Sequence, residues 1–221
     1  AVTEVPYYIP GSLTVTGAKL SIAEGVVLKF APANNFRVLL GAQIAAVGTL
    51  AKPIVFTSFS DGSIGGDTNG LASVATAGDW TGIDMMGSGC SFSYCEFRYA
   101  STALIFNSWS DDSGSGTIAN CTFRDNLVYG LNAWRAKAGT TVSSSSFYGN
   151  RSYPVAINEN VAFDATNHFY NAATATAPDP AAKYNAIVFS GNVNSPVTLA
   201  VSEVPYYFAG AFYVNSSKLT I

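Results

Sequence analysis

Short runs of alternating apolar and polar residues, such as Leu13-Thr-Val15 and Lys19-Leu-Ser-Ile22, are separated by clusters of Gly, Asn, Ser and Pro. The runs recur at a nearly fixed spacing. Gly17-Ala18-Lys19-Leu20 returns 24 residues later as Gly41-Ala42-Gln43-Ile44. Val27-Leu28-Lys29-Phe30 is echoed about 26 residues on by Ile54-Val55-Phe56-Thr57. Phe97, Phe123, Phe147 and Phe169 follow one another at intervals of 26, 24 and 22, and Asn126 and Asn150 each trail their Phe by three. Units of this length are too short for propeller blades and too poor in helix formers for a helical solenoid, but they match single coils of a parallel β-helix. The pattern predicts roughly eight coils of 22–26 residues. The Phe positions should stack inside, Gly and Asn should hold the corners, and the rod should be about 40 Å long at the inter-strand spacing. Three stretches break the pattern as loops: residues 61–78, 111–116 and 172–183. No linker divides the chain, which reads as one domain.

A second, longer period overlies the first. Residues 1–22 and 200–221 are identical at 12 of 22 positions under a shift of 199, and both contain an uninterrupted Glu-Val-Pro-Tyr-Tyr. Most substitutions are like for like, Ile9 for Phe208 or Ser21 for Thr220, and keep the strand alternation. Residues 1–199 are therefore one repeat unit, and 200–221 are the first strands of the next, continuing or capping the solenoid. Opening strands that stop there leave a sheet edge to be covered by a following repeat or another molecule. Glu4, Val5, Pro6, Tyr7 and Tyr8, with Glu203, Val204, Pro205, Tyr206 and Tyr207, are the expected junction and self-association residues.

Composition narrows the options. Only 11% of residues are charged, against roughly 25% in average soluble domains, while 48% are hydrophobic, which excludes disorder and a charge-coated helical protein. A net charge of −3 with scattered Lys and Arg excludes nucleic acid as a partner, and no apolar run is long enough for a membrane span. The chain opens on Ala1 without a signal peptide and reads as a mature form or an excerpt. Cys90, Cys95 and Cys121 have no metal-site spacing. Cys95 and Cys121 fall in register on neighbouring coils, near enough to bridge, although a stack of thiols is the simpler expectation.

The phrases Val5-Pro-Tyr-Tyr-Ile, Lys19-Leu-Ser-Ile-Ala-Glu-Gly-Val-Val-Leu-Lys-Phe30, Pro53-Ile-Val-Phe-Thr-Ser58, Gly65-Gly-Asp-Thr-Asn-Gly70 and Gly78-Asp-Trp-Thr-Gly-Ile83 occur in that order. Together they resemble the repeats of large secreted and cell-surface bacterial or archaeal proteins, over nearly the whole chain. The resemblance implies an all-β, right-handed parallel β-helix of the pectin-lyase-like kind. It also implies an extracellular stalk, adhesin or other surface structure.

Several residue groups are candidates for chemistry. Asp61, Asp67 and Asn69 offer hard oxygens in a Gly-rich loop, with Asp79 near enough to join, so calcium is the one cofactor the sequence offers; the alternative is an ordinary cluster of Asx turns. Where similar proteins add further acidic residues after this loop, Leu71-Ala-Ser stands here. Asp111 and Asp112 are adjacent and could look like the carboxylate pair of a glycosidase, but they sit in a Ser/Gly loop rather than on a rung. Arg98 and Arg124 follow Phe97 and Phe123 with Glu96 and Asp125 beside them, either as a uronate grip or as an ion-pair ladder across two coils. His168 is the only histidine, which rules out a Ser-His-Asp or metal cluster within one copy; it should lie exposed or at an edge. Trp80, Trp109, Trp134 and the Tyr pairs could stack on sugar rings. Asn120, Asn150 and Asn215 sit in glycosylation acceptor motifs.

The sequence reading is a non-catalytic structural repeat of an extracellular fibre, filament or cell-surface stalk whose partner is itself, as tandem repeats or a homopolymer. The alternative is a carbohydrate-binding or polysaccharide-degrading domain acting on a surface polysaccharide. It requires Asp84, Arg98, Arg124 and Asp125 to converge on one groove.

Overall fold

A computed structural model describes residues 5–106, 113–179 and 183–221. The chain winds as an all-β parallel solenoid of about nine turns, close to the eight or so expected. Its first sheet stacks Tyr7–Ile9, Val27–Phe30, Ile54–Ser58, Cys95–Arg98, Thr122–Arg124 and Ser146–Tyr148. The second stacks Leu13–Val15, Asn35–Val38, Gly82–Met85, Thr102–Ile105, Tyr129–Ala133, Val155–Ile157, Ile187–Phe189 and Tyr206–Phe208. The third stacks Lys19–Ile22, Gln43–Val47, Cys90–Ser93, Gly116–Ala119, Thr140–Ser143 and Val161–Phe163, and a short pair, Val197–Thr198 with Leu219–Thr220, lies beyond it. Among the described residues no helix is long and apolar enough to cross a membrane.

The Phe period has a direct structural cause. Register aligns Phe56, Phe97, Phe123 and Phe147 on the first sheet, and alternation turns all four rings inward. Successive centroids are 4.9, 4.7 and 4.9 Å apart with planes within 7° of parallel. Phe169 extends the column more loosely at 5.8 Å and 26°.

Two successive corners are held by side-chain amides. Asn126 donates to the Phe97 carbonyl and to Asn150 Oδ1, while its own Oδ1 accepts from the Ala100 amide. Asn150 repeats the motif one coil on, donating to the Phe123 carbonyl at 3.0 Å, so its glycosylation motif is used as a structural corner. Left-handed backbone conformations fall where expected at Asn120, and also at Asp125 and Ser144 and at two tyrosines, Tyr94 and Tyr99, whose residue type carries no turn signal. Cys90, Cys95 and Cys121 are buried free thiols, and burial raises the Cys95 thiol far above its ordinary value. Trp80, considered as a sugar platform, is buried flat against Phe30 at 4.4 Å.

The two copies of the 22-residue phrase lie at opposite ends, one sheet out of step. Tyr7–Ile9 pairs with Val27–Phe30 on the first sheet, whereas Tyr206–Phe208 pairs with Ile187–Phe189 on the second. Just before the second of these strands Glu203 binds His168 and the Phe169 amide, and Leu199, Val201 and Val204 are buried. Glu4, Trp109, Asp111 and Asp112 lie outside the described residues.

Candidate functional site

Alternation that sends the Phe column inward sends Lys29, Thr57, Glu96, Arg98 and Arg124 outward from the first sheet. The loop of residues 59–79 crosses this face and seals part of it. Its two ends are tied where Ser58 Oγ donates to Asp79 Oδ2 at 2.7 Å. Beneath it Lys29 is fully buried, and its ammonium donates to the carbonyls of Asp61 and Gly66 and to Thr68 Oγ1, each at 2.7 Å. Burial, the largest influence, pulls the Lys29 amine below its ordinary value, and neighbouring Arg98 adds to this; Asp61 and Asp67 oppose it.

The residues expected to bind calcium have protein partners in this arrangement. The Asp61 carboxylate faces Arg98 at 2.6 Å and accepts from the Thr57 and Ser63 hydroxyls. Asp67 accepts from the backbone amides of Asn69 and Gly70, and Asn69 donates to Ser73, as ordinary Asx turns. Asp79 accepts from Ser58 and Thr76. Among the described residues no group of three or more acidic, His or Cys side chains is placed to hold a metal. The Gly-rich loop does wrap a cation, and that cation is Lys29.

From Asp61 the charges run across the sheet as a chain. Arg98 reaches Glu96 at 3.0 Å, Glu96 also binds Arg124 at 2.7 Å, and Arg124 pairs with Asp125. Burial works against the Arg124 charge, but Glu96 and Asp125 outweigh it and hold the guanidinium protonated more firmly than usual. The Arg98 and Arg124 ladder expected from the sequence is thus present, and it is buried at the Arg98 end. Asp84 is not part of it. It sits on the second sheet, 3.7 Å from Arg37, so Asp84, Arg98, Arg124 and Asp125 form no common groove.

The two acids respond to pH in opposite senses. Burial by itself would raise the Asp61 carboxyl, but hydrogen bonds from Ser63 and Thr57 and the Arg98 charge hold it below the ordinary value. Its stabilising contribution is therefore complete above the unfolded value of about 4 and is lost as pH falls through the lower folded value. Asp84 is pushed up by burial, which Arg37 only partly offsets, so ionisation at neutral pH opposes folding there. Urea midpoints between pH 6 and pH 3 should fall less steeply in Asp61→Asn than in the parent. Asp84→Asn should cost nothing at pH 7.

The expected junction residues are split between the ends. Val5 is exposed, Pro6 rests against Gly65, Tyr7 is half-exposed, and Tyr8 stacks on Phe59 at 4.1 Å. At the other end Val204 is buried, the Pro205 carbonyl accepts from the Ile187 amide, and Tyr206 is half-buried. Tyr207 lies parallel to Tyr153 at 5.5 Å. Sequence reasoning missed the partner of His168, whose Nδ1 is 2.7 Å from Glu203 Oε1 while Glu203 Oε2 accepts from the Phe169 amide at 3.1 Å. The retention of Glu in both copies of the phrase was the available signal. A cleft of about 720 Å³ opens beside the last coils of the first sheet, with Tyr148, Tyr170, Arg151 and Lys183 among its described lining residues. No protein-family model, curated protein or solved structure matches the chain.

Proposed function

We propose that the chain is a non-catalytic structural unit of an extracellular fibre, filament or cell-surface stalk, with copies joined end to end by strand stacking. The observation that carries this reading is the use of opposite edges by the shared phrase. In its first copy Leu20 pairs forward with Ile44, and in its second the equivalent Leu219 pairs back with Val197. A phrase able to bond on either edge is what a joint between consecutive units requires. Two further features support it. The ionic groups of the first sheet pair with one another, and a stiff stack of short parallel coils suits a mechanical role. Extracellular placement and a pectin-lyase-like kinship follow from the sequence resemblance.

Negative-stain electron microscopy of the full chain should show filaments with an axial repeat of about 40 Å, from the stacking distance of its coils. Particles that stay monomeric at every concentration reached would overturn the reading. A carbohydrate-binding or polysaccharide-degrading role is the second reading, favoured by the cleft of about 720 Å³ with its two tyrosines and two cations. Retention on a polysaccharide column, lost in Tyr170→Ala, would shift the assignment to it.

A further inference from the structure

We infer that the surface now covered by residues 203–221 is an acceptor for residues 4–22 of a second copy of this chain, so that the chain carries a stand-in for its neighbour and joins it by exchange. The inference deepens the end-to-end reading and rests on it. It commits to one occupant because the occupant's sequence is already on the surface in near-copy.

Identity between the two phrases follows the contacts. Glu203, which binds His168 and the Phe169 amide, is Glu4 in the first copy. Buried Val204 is Val5, and Tyr206, paired with Ile187, is Tyr7. Tyr207, stacked on Tyr153, is Tyr8, Val214, bridged to Val193, is Val15, and Leu219, paired with Val197, is Leu20. The differences fall mostly on exposed positions, among them Ser202, Ala209, Ala211, Tyr213 and Asn215. At the inward positions that differ, Phe208 and Phe212 pack on Phe189 where the first copy has Ile9 and Leu13, so an apolar side chain is kept.

The first copy also lies at a sheet edge. Among the described strands, Tyr7–Ile9, Leu13–Val15 and Lys19–Ile22 each stand at the end of their sheet and pair with the strand that follows. Taking up the acceptor position moves Tyr7–Ile9 onto the second sheet of the receiving molecule, where Tyr206–Phe208 now lies. Tyr8 would then replace Tyr207 beside Val188. Joining in simple continuation of the first sheet would not bring those two residues together.

The test uses the full chain and a fluorescein-labelled peptide of residues 4–22. Val188 and Tyr207 are directly paired, so Val188→Cys with Tyr207→Cys can be closed by a disulfide and reopened with dithiothreitol in the same protein. The oxidised form should take up no peptide by fluorescence anisotropy, and the reduced form, which lacks the Tyr207 stack on Tyr153, should take it up at least as well as the parent. Glu203→Ala, which frees the His168 and Phe169 contacts, should raise uptake about tenfold or more. In trans, Val188→Cys mixed with Tyr8→Cys should give dithiothreitol-sensitive dimers. Equal uptake by the oxidised and reduced forms, or no uptake by any form together with no trans dimer, overturns the exchange. Filaments that persist with the disulfide closed overturn it too while sparing the end-to-end reading, whereas the loss of filaments in every form, the parent included, overturns that reading itself.

Discussion

Lys29→Met should destabilise the chain by about 3–5 kcal/mol, because it strips a buried donor from two carbonyls and a hydroxyl at once. Methionine fills much of the same volume, so the loss is electrostatic rather than a cavity. The carbonyls of Asp61 and Gly66 and the Thr68 hydroxyl would lose their shared donor beneath the loop. Each buried acceptor left without a partner costs about 1–3 kcal/mol unless the loop opens to let water in. Opening is therefore the expected response. Residues 62–78 should become cleavable by a protease that leaves the parent intact, and the urea midpoint should fall. If neither changes, Lys29 does not hold the loop. Because Asp61 remains paired with Arg98 at 2.6 Å, the solenoid beneath should stay folded at moderate urea. Hydrogen exchange should then rise first in the loop and only later in Ile54–Ser58.

The contrast between Lys29 and the Phe column explains what could be read in the sequence. A parallel coil repeats its side chains on a fixed register, so Phe97, Phe123, Phe147 and Phe169, with Asn126 and Asn150 behind them, state the fold through their spacing alone. Arg98 and Arg124 occupy the same register, and their pairing was legible for the same reason. Lys29 was not, because its three acceptors come from residues 32–39 positions further on, in a loop outside the coil period. The sequence reading therefore weighed the loop's acidic residues without the ammonium that its backbone carbonyls bind. Asp84 failed differently. A carboxylate's face depends on which sheet its coil segment has reached, and the excursion before Trp80 hides that count, so Asp84 landed beside Arg37 on the second sheet. The left-handed corners at Tyr94 and Ser144 are set by the coil geometry around them, since neither residue type favours that conformation. The offset between the two phrases was likewise beyond sequence reasoning. Closely similar words occupy different sheets, Tyr7–Ile9 pairing with Val27–Phe30 and Tyr206–Phe208 with Ile187–Phe189.

Phe123→Ala should cost about 3–5 kcal/mol, the range for emptying a fully buried aromatic site, and should cost more than Phe169→Ala. Phe123 is sandwiched between Phe97 at 4.7 Å and Phe147 at 4.9 Å, both nearly parallel, so truncation removes two stacking contacts and leaves a gap inside the column. The coils on either side are fixed by their own hydrogen bonds and cannot close over it. Phe169 meets Phe147 at 5.8 Å and Phe163 at 6.2 Å, in tilted or loose contacts near the end of the column, where relaxation is easier. The position of the defect matters as much as its size, because each coil of a solenoid is stabilised mainly by its two neighbours. A defect at Phe123 should uncouple the coils before it from those after it. Urea unfolding followed by hydrogen exchange should then separate into two phases, Ile54–Ser58 and Cys95–Arg98 protected in one and Ser146–Tyr148 and Val155–Ile157 in the other. In Phe169→Ala a single transition should remain, at a modestly lower midpoint. Equal losses in the two variants would mean that the column acts as a set of independent hydrophobic burials, and the stacking geometry would then have no part in coupling one coil to the next.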